Sequence, residues 1–138
     1  MTDEWYVLIE EDTRTTERAD GVELRLHRWA LVATHRIGRD QAEASAAAQD
    51  AALRYIPRLL ARHARPGDVP GRQAFQGQDG TWVVLVRQRG RECHVRVSTA
   101  RLVHSRTEEE AQAKTLKEKF RSALEGPQPL PQPWAPGR

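Results

Sequence analysis

A chain of 138 residues, 38% hydrophobic and 30% charged, has material for one core of ordinary size and the composition of a soluble globular protein. It holds no apolar run near the roughly 18 residues a transmembrane helix needs, its acidic start MTDEWYVLIEED lacks the marks of a signal peptide, and a lone cysteine, Cys93, rules out an intramolecular disulfide framework. The net charge of +3 is uneven: residues 1–12 carry five acids and no base, residues 87–106 carry six arginines against Glu92 alone, and only the second segment suits a polyanion.

The first element is EWYVLIEED at 4–12, a Trp-led strand with apolar residues on both faces, which places it inside a sheet. The polar stretch TRTTERAD (13–20) then lengthens a hairpin whose second strand is GVELRLHRWALVATH (21–35). There Val22, Leu24 and Leu26 alternate with Glu23, Arg25 and His27, and the apolar face changes parity near Arg28–Trp29, where a bend is expected. Asp40, with Glu43 three residues on, has the form of a capping box and predicts an Ala-rich helix from Asp40 to about His63. Pro57 removes a backbone donor and should kink or break that helix near Tyr55–Ile56.

A Pro/Gly-rich connector, 64–73, leads to RQAF, a short extra strand expected against Trp82, and to the turn QGQDG. The next hairpin joins TWVVLVRQR (81–89) to RECHVRVSTARLVH (91–104), with Cys93, Val95 and Val97 inward and Glu92, His94, Arg96 and Ser98 outward. Thr107 and Glu110 again have capping-box spacing, predicting a helix over 108–124 with Leu116, Phe120, Leu124 and Ala113 on one stripe. The last segment, GPQPLPQPWAPGR, holds five of the eight prolines and reads as a disordered or polyproline-like tail.

The two hairpin–helix segments resemble each other. Trp5 to His35 spans 30 residues and Trp82 to His104 spans 22, and the difference of eight equals the polar insert 13–20. The expected fold is α+β: two strand–strand–helix units, an internal pseudo-repeat, forming one mostly antiparallel sheet with two helices packed on one face. A single domain would cover residues 1–125, as unit one (4–63), connector (64–73) and unit two (74–125), with a flexible tail at 126–138.

No catalytic constellation emerges. GQDG at 77–80 lacks the Lys and helix start of a phosphate loop. The five histidines have neither i, i+4 helical spacing nor a Cys partner at ligand spacing, so neither a metal nor another cofactor is expected. Cys93 and His94 are neighbours in a strand and point to opposite faces, which excludes a nucleophile–base pair. His35 and His104 precede predicted helix starts and suit capping. The expectation is a non-catalytic, cytoplasmic binding protein.

Guanidinium groups pair with phosphates and stack on bases, so the basic hairpin and outer face point to nucleic acid. The candidate residues are Arg25, His27, Arg87, Arg89, Arg91, His94 and Arg96. An open basic sheet of this kind is loosely similar to several nucleic-acid-binding α+β folds. With 19 arginines and three lysines, the same residues also fit a solvated face in an Arg-biased chain. The alternative class is a protein–protein module: an adaptor, immunity or regulatory protein that binds through the Pro-rich tail or a sheet edge and forms a homodimer.

Overall fold

The computed structural model describes residues 3–111, 115–126, 130, 131 and 133. The chain divides into two compact units, Met1–Ser105 and Arg106–Arg138. The first contains β1 (Trp5–Ala19), β2 (Val22–Gly38), α1 (Gln41–Arg54), α2 (Arg58–Arg62), β3 (Gly71–Gln76), β4 (Trp82–Gln88) and β5 (Arg91–Arg101), and the second contains α3 (Leu116–Glu125). The strands form one open antiparallel sheet in the order β2-β1-β5-β4-β3, so the fold is α+β. Both Trp-led strands, β1 and β4, are interior strands, as their two apolar faces require.

Two tight turns close the long hairpins. Asp20 (φ 52) and Gly21 (φ 77) join β1 to β2, and Arg89 (φ 48) and Gly90 (φ 75) join β4 to β5. Positive φ at both central residues matches the right-handed twist of the flanking strands. The segment 13–20 is no loop: pairing runs unbroken from Thr13↔Arg28 to Ala19↔Val22, and the Thr13 hydroxyl donates to the Arg28 carbonyl at 3.0 Å. The expected bend of β2 lies a few residues later than Arg28–Trp29. Ladder irregularities leave Val32 and Ile37 unpaired with β1, and both pack against the core.

One face of the sheet carries the core. Val7, Ile9, Val84, Val86, Val95 and Val97 meet Ala48 and Ala52 of α1 and Leu60 of α2, and Ala44 is buried one turn before Ala48. Alanines at i, i+4 and i+8 form one small-residue stripe, which lets the helix backbone approach the valines closely. Asp40 caps α1 by accepting from the Ala42 amide at 2.9 Å. The helix ends at Arg54, and Tyr55–Pro57 separate it from α2, with Pro57 fully buried. Arg72 of β3 reaches the broken end and donates to the carbonyls of Ala52 (3.0 Å) and Tyr55 (2.7 Å), groups a helix C-terminus leaves orphaned.

The second predicted helix is corrected. Residues 102–111 have no regular structure, α3 starts at Leu116, and Thr107 caps no helix. Leu116, Phe120 and Leu124 are exposed, and within the first unit α1 and α2, the halves of the predicted first helix, pack on the sheet. Ala113 and most of the predicted tail 126–138 lie outside the described residues. No described helix is long and apolar enough to cross a membrane.

Candidate functional site

β1 pairs with β5 only as far as Glu11↔Val95. Beyond that point β1 continues with β2 as a two-stranded arm, while residues 91–94 of β5 keep only their β4 partners among the described residues. The sheet therefore splits. The groove at the split has a volume of about 890 Å³ and is lined by Asp12 and Arg14 on the arm, Arg91 and His94 on β5, and Arg58 and Arg62 on α2.

Glu11 anchors the floor. Its position follows from alternation, since Val7, Ile9 and Glu11 share the core face of β1. A carboxylate buried there needs donors, and it accepts from the Tyr55 hydroxyl (3.1 Å), the Arg58 amide (2.8 Å) and Arg58 Nε (3.2 Å). All three donors come from the chain break at Tyr55–Arg58, so Pro57 positions them. Burial, then the charge and hydrogen bond of Glu11, push the Tyr55 phenol up to about 12 against the opposing pull of Arg58. Burial and Glu11 also raise the Cys93 thiol, while Arg14 works against them.

The other acids at the groove are engaged as well. Asp12 lies 3.2 Å from His27 and 3.6 Å from His94, and Glu92 lies 3.2 Å from both Arg87 and His94. Arg14, Arg62 and Arg91 are exposed and form no ion pair among the described residues. The groove thus offers three guanidinium groups with no carboxylate at ion-pair distance among the described residues, although Glu11, Asp12 and Glu92 also line it.

The predicted site residues separate into three groups. His27, Arg87, His94 and Arg96 share the open face of the sheet, as the register requires. Both arginines are paired with acids there: Arg87 with Glu92, and Arg96 with Glu10 in a two-point ion pair at 2.7 and 3.2 Å, the Arg96 guanidinium lying 4.6 Å over the Trp29 ring. Arg89, in the β4–β5 turn, forms a bidentate pair with Asp68 of the connector, and that pair and the Arg65 amide hold the Asp68 carboxyl below its ordinary range. Arg25 lies far out on the arm, and Arg91 alone of the predicted arginines lines the groove without an ion pair.

Sequence inspection missed Arg14, Arg58, Arg62 and the Glu11–Tyr55 contact. Glu11 could have been found from its phase with Val7 and Ile9. The arginines could not, because they meet only where the arm leaves the sheet. His35 stands inside β2 and Asp40 is the cap, so the capping role expected of His35 is not realised. The chain matches no protein family, no curated protein and no solved structure among those compared.

Proposed function

We propose that this protein is a non-catalytic binding protein that holds single-stranded nucleic acid in the groove between arm, β5 and α2. One observation carries the proposal: Arg14, Arg62 and Arg91 surround an open groove whose carboxylates already have partners. Guanidinium groups bind phosphate oxygens in bidentate geometry, and a groove is entered more readily by a flexible strand than by a stiff duplex. The site thereby moves from the outer arginines to the groove, retaining Arg91 and His94 of the residues picked from the sequence. Arg87, Arg89 and Arg96 serve architecture, because each is paired with an acid.

The test is a titration of a labelled mixed-sequence oligonucleotide over a salt series. Each phosphate contact contributes about 0.7 to the slope of log K against log salt for a single strand. Arg14→Ala, Arg62→Ala and Arg91→Ala should each make the slope shallower by about that amount. Arg54→Ala, whose side chain pairs with Asp50 on α1, should leave it unchanged.

A protein partner is favoured by a different observation. The open face exposes Leu31 (57%), Phe75 (60%) and Val83 (45%) around the Arg96–Glu10 pair, an apolar patch of the kind that marks interaction surfaces. The two-unit organisation also stays a proposal. Its support is that Trp5 and Trp82 each open an interior strand of a long hairpin, whereas α1 follows β2 at once and α3 begins well after β5.

A further inference from the structure

The outer edge of β2 has no strand beside it among the described residues. Its inner half is interrupted by the irregularities at Val32 and Ile37, which spoil regular pairing. The outer half, Val22 to Leu31, pairs with β1 without interruption and has no proline, lysine or bulge; its charges, Glu23, Arg25 and Arg28, are of both signs and so can pair across an edge contact instead of blocking it. Its apolar residues are open to solvent: Val22 (59%), Leu24 (43%) and Leu26 (38%) project on one face, with Glu23 and Arg25 on the other.

We infer that two copies of this chain pair arm to arm, antiparallel through the outer edges of β2, about a two-fold axis at Leu24. The backbone permits this register. Ala19 and Val22 flank a two-residue turn and exchange their hydrogen bonds with each other, so by alternation Val22, Leu24 and Leu26 turn their amides and carbonyls toward β1, while Glu23 and Arg25 turn theirs outward. Two outward-facing residues must meet across the new ladder. An axis at Leu24 sets Glu23 of each copy opposite Arg25 of the other.

Side chains select this register over its neighbours. On one face two Glu–Arg pairs form; on the other Val22 meets Leu26 of the second copy, and the Leu24 side chains meet on the axis. Moving the axis to Glu23 opposes two glutamates, and moving it to Arg25 opposes two arginines, both destabilising when directly across a ladder. The contact is isologous, so it closes as a dimer instead of growing into a filament. A ladder from Asp20 to Arg28 is shorter than the about 20–30 residues a side of a standard interface, so monomer and dimer exchange with concentration.

The test uses the full chain without nucleic acid, by sedimentation or light scattering over a concentration series. The wild type should shift from monomer to dimer. Glu23→Arg and Arg25→Glu should each weaken association roughly tenfold or more, because two attractive pairs become repulsive. The doubly swapped chain should regain the dimer, and the two single variants should form a mixed dimer when combined. These positions are exposed, so the fold should persist, which circular dichroism checks. In a Cys93→Ser background, Leu24→Cys should crosslink on oxidation and Val22→Cys should not. A monomer alone at about 1 mM, or a dimer indifferent to both charge reversals, overturns the inference.

Discussion

Glu11 shows what one side chain contributes to this molecule. It is a buried charge in a run of buried valine and isoleucine, held by the Tyr55 hydroxyl and by the backbone and side chain of Arg58. Glu11→Ala would leave those donors without their acceptor and is expected to cost about 1–3 kcal/mol, read as a fall of several degrees in melting temperature. Tyr55 gives a pH signature with a definite sign. Its phenol is raised from 10.0 to about 12, so the stability tied to the neutral form is fully present below about pH 10 and is lost as pH climbs through about 12. Denaturant unfolding from about pH 9 to pH 11.5 should therefore show a steeper loss for the wild type than for Tyr55→Phe; equal slopes would mean the phenol is not held by the fold. Alternation with Val7 and Ile9 could have placed Glu11 on the core face, but its partners, 44 and 47 residues away, could not be read from the sequence.

Among the elements, those with strong local signals stand where the sequence puts them. The Asp40 cap, the break before Pro57, the short strand ahead of Trp82 and the two long hairpins follow from capping chemistry, the missing proline donor and period-two alternation. The second helix departs from prediction because a capping box alone does not sustain a helix; short helices in water depend mainly on burying an apolar face, and Leu116, Phe120 and Leu124 bury little. The arm was read as an insert because 13–20 lacks apolar alternation, although its threonines favour strands. Arg72 was invisible as a cap since it belongs to β3. Arg72→Met keeps the stem and removes the donors to Ala52 and Tyr55, and should cost about 1.5–3 kcal/mol by equilibrium unfolding. Ala48, on the face of α1 pressed against the sheet, tests the close packing: Ala48→Leu should destabilise by about 1–3 kcal/mol through overpacking. A neutral result would mean that the helix stands off the valines.

For the protein as a binding molecule, the deciding quantity is the distribution of uncompensated charge, not the count of arginines. A net charge of +3 steers polyanions only weakly, and the arginines most conspicuous in the sequence, Arg87, Arg89 and Arg96, are paired with Glu92, Asp68 and Glu10. The groove differs because Arg14, Arg62 and Arg91 have no carboxylate at ion-pair distance among the described residues, whereas Glu11 and Glu92 beside them are held by Arg58 and Arg87. The measurement that tests this most directly is fluorescence anisotropy of a labelled single-stranded oligonucleotide against salt, for the wild type and for a chain carrying Arg14→Ala, Arg62→Ala and Arg91→Ala together. The wild type should bind at low salt with a slope that reports several phosphates, and the triple variant should lose about two units of that slope, about 0.7 for each guanidinium. Absence of binding at about 100 μM in low salt, or a slope that the triple substitution leaves unchanged, would contradict a phosphate-binding groove.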